Sequence, residues 1–319
     1  MKDLVIGIDG GASKTIALLA GATGEMLGRA QLGGSNKQVS GVAATLATLD
    51  QVIEAVFAAA GRDVTQVASA CLGLSGVDRD EDLALIRAWA DERRLSNVLT
   101  VVNDARLVIA AGTPAGFGVG LICGTGSIAV GRAPDGRMGR AGGWGYLLGD
   151  EGSGYDIALR ALRAACSAAD GRAVPTLLLD TILQRWQLSQ PSDLIPHVYH
   201  RAEARGLLAE LPPLVSACAE QGDAVSIAIL RGAGRDLAAA VAAVARELQI
   251  APPLPLAIAG SVIQRTPLLQ QALQHELAAL GWPADPIHAV EEPAIGAVRL
   301  AREALESHNP TERCSRAAV

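Results

Sequence analysis

Aromatic residues are scarce, at 3% of a 319-residue chain that is half hydrophobic, so its cores must be filled by Ala, Val, Leu and Ile. Five cysteines, at positions 71, 123, 166, 218 and 314, stand singly, with no CxC or CxxC pair. That excludes a disulfide framework and offers no zinc or iron–sulfur spacing. Basic runs are missing too, and the formal net charge of −6 argues against a nucleic-acid or anionic-membrane surface. The longest uncharged stretch, 107–131, could span a bilayer by length, but Pro114 and seven glycines interrupt it. It reads as strand–loop–strand. The N-terminus passes directly into a strand pattern, which leaves no room for a signal peptide. A soluble protein of a reducing cytoplasm is expected, long enough for two domains.

What the sequence does have is concentrated first at Val5-Ile6-Gly7-Ile8-Asp9-Gly10-Gly11-Ala12-Ser13-Lys14-Thr15. A β-branched apolar run reaches a carboxylate, turns on two glycines and restarts as a second apolar run. This predicts a hairpin whose tip offers amide N–H groups, hydroxyls and a lysine. Such a tip suits nucleotide phosphates, with Asp9 able to hold Mg²⁺. It is also an ordinary tight hairpin, and it has neither GxxxxGK[ST] nor GxGxxG.

Strands are expected at 4–9, 15–20, 26–31, 67–74 and 98–102, with helices at 42–60, 83–94 and after Asp104. A second hairpin is expected at 119–131, turning on Gly124-Thr125-Gly126-Ser127. The chain thus repeats its opening device, which implies two related lobes facing each other across a cleft. Residues 153–250 read as helical, broken at 189–193 and 211–213, and ended by Pro252-Pro253. A buried strand at 254–260, a helix near 267–280, a strand at 287–290 and a helix from 293 to about 305 complete the pattern. The expected domains are 1–115, with 293–305 packing back on it, and 116–292; 306–319 reads as a disordered tail.

Four further segments carry chemistry. Asn103-Asp104-Ala105 lies at the carboxyl end of an apolar strand, where an open α/β sheet presents catalytic groups. Asp104 there is either a helix N-cap or an acceptor for the proton of an attacking hydroxyl. The Gly124–Ser127 tip is either a routine turn or a second phosphate clamp. Gly142-Gly143-Trp144-Gly145 and Gly149-Asp150-Glu151-Gly152-Ser153 suggest close backbone approach to a ligand with the Trp144 ring as a wall, unless Trp144 is core. Leu256-Ala257-Ile258-Ala259-Gly260-Ser261-Val262 ends a strand on small residues, where adenine and ribose could lie. Ala294-Ile295-Gly296-Ala297 is a small-residue helix face suited to close packing or a hinge.

In this order and spacing the segments resemble the five signatures of the sugar kinase, heat-shock ATPase and actin superfamily, over residues 4–305. Within it, Gly33-Gly34-Ser35-Asn36, Gly73-Leu74-Ser75-Gly76, Asn103-Asp104-Ala105, Gly124-Thr125-Gly126-Ser127 and the two glycine-rich segments around Trp144 and Asp150 resemble N-acetylglucosamine kinases of the eukaryote type and the related BadF-type ATPases. The resemblance implies an α/β, two-lobed actin-like (ribonuclease H-like) fold and an ATP- and Mg²⁺-dependent kinase acting on the 6-hydroxyl of N-acetylglucosamine. It implies Asp104 as the catalytic proton acceptor and Asn36, Ser75, Thr125, Trp144, Gly145 and Asp150 as substrate contacts. ATP would meet Gly10, Gly11, Ser13, Lys14, Thr15, Gly124, Thr125, Gly126, Ser127, Gly260 and Ser261, with Asp9 on the metal. A homodimer is implied, without nucleic-acid or membrane partners. Ala12-Ser13 departs from the family's usual Gly-Thr, although Ser13 keeps the hydroxyl. Glucosamine as acceptor, a non-kinase ATPase acting on a partner protein, and a sugar-sensing protein without turnover stay open as alternatives.

Overall fold

Two five-stranded mixed sheets organise the chain, and they repeat one topology. The computed structural model describes residues 4–11, 13–21, 23–77, 79–113, 115–199 and 204–308. First come β1 (Leu4–Gly10), β2 (Thr15–Gly21), β3 (Met26–Leu32), α1 (Lys37–Ser40), α2 (Val42–Ala59), β4 (Val67–Leu74), α3 (Asp80–Glu92), β5 (Ser96–Asn103) and α4 (Asp104–Gly112). Then follow β6 (Gly118–Cys123), β7 (Ser127–Arg132), β8 (Met138–Gly142), α5 (Gly154–Ala169), α6 (Leu177–Trp186), α7 (Leu194–Tyr199) and α8 (Ala204–Leu208). The chain continues through α9 (Leu211–Glu220), α10 (Ala224–Glu247), β9 (Leu254–Ala259), α11 (Ser261–Arg265), α12 (Pro267–Ala279), β10 (Ala284–Ala289) and α13 (Ala294–His308).

One compact unit takes the described residues up to Gly116 and those from Val290 onward; the other is Phe117–Ala289. In the first, the strand order is β3-β2-β1-β4-β5; in the second it is β8-β7-β6-β9-β10. β1 pairs antiparallel with β2 and parallel with β4, as β6 does with β7 and β9. β4 (VASACLGL) is buried along its whole length, the signature of a central parallel strand covered on both faces. One face of the sheet is covered over β2 and β3 by α2, whose buried residues Leu49, Val52, Ile53, Val56 and Phe57 recur at helical spacing. By length and hydropathy α2 is the one described helix that could cross a membrane, yet this face packs on β2 and β3. The other cover is α13, lying on β1, β4 and α4. Its Gly296 brings the helix against the backbone of Leu107, so the small-residue face serves close packing within this unit.

In the second unit α10 packs on β6, β7 and β8 and α11 on β6 and β9, and α5 joins them in a core of Val119, Leu121, Ile157, Leu230, Leu237, Val241 and Leu256 among others. Four features differ from the sequence expectation. Leu211–Pro213 is the first turn of α9, with proline at the N-terminal helical positions where its missing N–H is harmless. β8 adds a glycine-rich edge strand, and Asn36 caps the short helix α1. α13 runs to His308, three residues beyond its expected end; the rest of the expected tail lies outside the described residues.

Candidate active site

In the first unit the register brings the polar strand ends together. Gly10 pairs with Leu74, and Leu74 with Asn103, so three adjacent parallel strands end level, with Ser75 and Asp104 just beyond their strands and Asp9 one residue inside the end of β1. Ser75 N–H donates to the Gly10 carbonyl at 2.8 Å, and Ser35 N–H to the Gly11 carbonyl at 3.0 Å. Thr15 Oγ1 donates to Ser35 Oγ at 2.8 Å in the buried interior of the hairpin. Asn36 then uses both ends of its amide: Oδ1 accepts the Gln38 N–H at 2.9 Å, and Nδ2 donates to Ser75 Oγ at 3.2 Å. The phosphate-type tip and the acceptor-type residues are therefore one hydrogen-bonded assembly in this unit. Ser13 and Lys14 stand exposed at the tip, and Ala12 lies outside the described residues.

Asp104 is not the helix cap. Asn103 occupies that position, its side chain accepting the Ala105 N–H at 3.0 Å, and Asp104 is the first residue of α4. The carboxylate so placed sits at the positive end of the helix. Half-buried Asp9 is pushed up to about 7 by burial first and then by the Asp104 carboxylate; Lys14 opposes this and Glu292 adds to it. Glu292 also pairs with Arg29 at 2.7 Å. Neither Glu292 nor the Thr15–Ser35 bond stood out in the sequence, because Glu292 is about 280 residues from Asp9 and Ser35 was one hydroxyl among many.

The second unit builds a matching tip without a carboxylate on its strand end. Cys123 ends β6, the strand that matches β1; it is fully buried, and burial pushes its thiol up to about 12. The tip is held from below: Gly154 N–H donates to the Gly124 carbonyl at 2.8 Å and Tyr155 N–H to the Thr125 carbonyl at 3.2 Å. Ser127 Oγ donates to the Glu151 carbonyl at 2.8 Å. Asp150 is buried and adopts a left-handed φ of 60°, a sparsely populated conformation for a non-glycine residue. A Cβ on Gly126 would lie 2.8 Å from Asp150 Oδ2, so the tip glycine leaves room for that carboxylate. At Gly260, φ is 103° and the turn into α11 abuts the Cys123 carbonyl, placing Ser261 beside the same tip. Trp144 is 65% exposed with the Arg140 guanidinium 5.2 Å from its ring, so it is not core. It stands on a loop whose Gly145, at a positive φ of 84°, accepts the Leu148 and Gly149 N–H groups at 3.2 and 2.8 Å on its carbonyl.

Among the described residues no group of three His, Cys, Asp or Glu could hold a metal alone. Asp9 with its acidic neighbours nevertheless fits Mg²⁺, which usually takes one or two carboxylates and completes its shell with water and substrate phosphates.

The chain is 35% identical over 300 residues to the N-acetylmuramic acid/N-acetylglucosamine kinase of Clostridium acetobutylicum, covering 93% of this chain and 98% of that one. It is 33% identical over 312 residues to the N-acetyl-D-glucosamine kinase of Dictyostelium discoideum, covering 94% and 98%. A solved structure from Chromobacterium violaceum, described as a candidate N-acetylglucosamine kinase, superposes with a TM-score of 0.68 at 29% identity over 94% of this chain and 99% of that one. A glucokinase of Streptomyces griseus, solved with glucose and an ATP analogue, shares the fold at a TM-score of 0.62 and 18% identity, over 94% and 99% of the two chains. The profile of the BadF/BadG/BcrA/BcrD ATPases matches residues 6–301, and this chain belongs to that ATPase family.

Proposed function

We propose that the chain is an ATP-dependent amino-sugar kinase that phosphorylates the 6-hydroxyl of N-acetylglucosamine. The observation that carries this reading is the clustering of Asp9, Ser75 and Asp104 on adjacent strand ends, with Asn36 bonded to Ser75. Two relatives at 33–35% identity that are named as kinases of this sugar support it.

Asp104 accepts the proton of the 6-hydroxyl as the oxygen–phosphorus bond forms and the bond from the γ-phosphorus to ADP breaks. Little deprotonation is needed early in such a transfer, so the carboxylate acts mainly by holding the hydroxyl in line. Asn36, Ser75, Thr125 and Asp150 bond the sugar hydroxyls, while Trp144 and Gly145 border it. The amides and hydroxyls of Gly10, Gly11, Ser13, Thr15 and Gly124–Ser127, together with Lys14, hold the phosphates; Gly260 and Ser261 border the adenosine. Asp9 would hold Mg²⁺, which when bound neutralises charge on the transferring phosphoryl group. A cytoplasmic homodimer belongs to the same proposal.

An acceptor panel tests it: ATP with N-acetylglucosamine, glucosamine, N-acetylmuramic acid or no sugar, read as phosphorylated sugar by mass spectrometry. N-Acetylmuramic acid is included because the Clostridium relative is named for both sugars. The expected result is N-acetylglucosamine 6-phosphate with the highest kcat/KM. A preference for glucosamine would move the acceptor assignment, and sugar-independent hydrolysis alone would favour an ATPase that drives a partner.

A further inference from the structure

The loop carrying Asp150 is fastened to two helices by charge. Asp156, in the first turn of α5, accepts the Gly152 N–H on Oδ2 at 2.8 Å. Arg160, one turn further on, bonds Asp156 at 3.1 Å through Nε and at 2.7 Å through Nη2, and reaches Asp236 on α10 at 2.6 Å. α10 also bears on the loop directly: Gly152 has φ 74°, and a Cβ there would lie 2.6 Å from the Ala233 carbonyl oxygen. A Cβ on Gly232, inside α10, would lie 3.0 Å from Arg160 Nη1. Glycine is unfavourable in a helix interior, and here its missing side chain leaves the guanidinium its place.

Stability alone is a weak explanation for this network. The Arg160 and Asp236 side chains are 30% and 33% exposed, and ion pairs so open to water add little to stability. What the network does fix is geometry. The loop it holds carries Glu151, whose carbonyl accepts Ser127 Oγ, and it runs into Gly154 and Tyr155, which donate to the Gly124 and Thr125 carbonyls. We propose that Asp156, Arg160 and Asp236 are positioning residues that hold the acceptor loop 149–153 and the phosphate tip 124–127 as one body, so that acceptor and nucleotide affinity depend on each other. This inference rests on the kinase reading above.

The test combines steady-state kinetics with amide hydrogen exchange on Arg160→Met, Arg160→Lys and Asp236→Asn. Arg172→Met serves as control, because Arg172 pairs with Asp170 beyond the far end of α5. Arg160→Met should raise KM for the sugar on the order of ten-fold, the scale of a displaced binding group, and KM for ATP by less. Amides in 124–127 and 149–155 should exchange faster, and the melting point should fall by only about 2–4 °C. Arg160→Lys should recover part of the KM, since an ammonium engages one carboxylate well but not two at fixed angles. Asp236→Asn, on the outer side of α10, should show the same exchange pattern more weakly, and it decides the matter if Arg160→Met does not fold. Unchanged KM and unchanged exchange at both segments, with only the melting point lowered, would overturn the proposal. Should the wild-type protein phosphorylate no amino sugar, the kinase reading fails, while the exchange comparison still decides whether the network holds the two segments together.

Discussion

In the first sheet the strand leading into the hairpin carries Asp9 as its last residue but one; in the second, the strand in the same place ends on Cys123. The neighbouring parallel strands diverge in the same sense. β4 runs out into Ser75 and β5 into Asn103 and Asp104, whereas β9 runs into Gly260 and β10 stops at Ala289. One backbone plan, used twice, delivers strand ends to a common level; the side chains there decide the chemistry. The first unit gathers carboxylates suited to a metal and a proton. The second offers N–H groups, small residues and hydroxyls, with one acid, Asp150, supplied by a loop outside the repeated strands. A polyphosphate needs such donors more than it needs further negative charge.

The comparison breaks most visibly at Asp104. Asp104→Asn should lower kcat by on the order of 10²–10⁴ while ATP and sugar binding stay within a few-fold. Asn103 supplies the cap, and an amide oxygen at position 104 can still accept the Ala105 N–H that Asp104 Oδ1 takes at 2.9 Å, so the melting temperature should hardly move. Normal turnover in this variant would reduce Asp104 to a structural residue.

Asp9→Asn should cost roughly 10²-fold or more in turnover, through weakened Mg·ATP binding. Its effect on the ligand-free protein has the opposite sign. A carboxyl that titrates at about 7 when folded, against 3.8 when exposed, binds its proton more tightly in the folded state. Stability is therefore lost as pH rises from about 4 to 7, and the variant has no such loss. Denaturant titrations should find Asp9→Asn more stable than the parent at pH 8 and no more stable at pH 4. A variant less stable at both pH values would mean that the carboxylate serves the fold.

Cys123 ends the matching strand of the second unit with a group that does not ionise in neutral solution. Cys123→Ser should keep activity within a few-fold and lower stability by about 1–3 kcal/mol through an imperfectly partnered buried hydroxyl. Iodoacetamide at pH 8 should label exposed Cys166 before buried Cys123 or Cys71, the latter also pushed up to about 12 by burial. Early labelling of Cys123, read by peptide mass spectrometry, would contradict its buried placement.

The smallest effect on catalysis belongs to Asp223, a helix cap remote from the clustered residues. It accepts Ser226 N–H at 2.9 Å, Ser226 Oγ at 2.7 Å, Leu177 N–H at 3.1 Å and Thr176 Oγ1 at 2.9 Å. Burial alone would raise its pKa, but these bonds outweigh it and hold the carboxyl below its usual range. Its stabilisation is thus present above the ordinary carboxylate pKa and lost as pH falls through the lower folded value. Asp223→Ala should lose about 1 kcal/mol at pH 7 with KM unchanged, and the difference from the parent should shrink in acid.

Much of this was legible in the sequence where local pattern and tertiary context agree. β1, β2, β4 and both hairpins announce themselves through β-branched runs that turn on glycine. β8 did not, because Met-Gly-Arg-Ala-Gly has no β-branched residue and forms a strand only by pairing along β7. Pro212-Pro213 read as a break although proline is at home in a helix's first turn. The carboxylate at the end of β5 was visible as a candidate, but whether Asn103 or Asp104 caps α4 depends on backbone angles that the dipeptide does not reveal. Asp156 and Arg160 are readable as an i,i+4 pair. Their link to Asp236, 76 residues from Arg160, exists only in the folded chain.

Product stoichiometry in parent and Asp104→Asn decides whether the strand ends of the first unit hold a phosphoryl-transfer base. With ATP, Mg²⁺ and N-acetylglucosamine, the parent should form ADP and sugar 6-phosphate one for one. Asp104→Asn should form both more slowly by at least about 10²-fold, with sugar affinity kept. ADP formed at the same rate with or without sugar, or equal sugar phosphate from both proteins, would contradict the account.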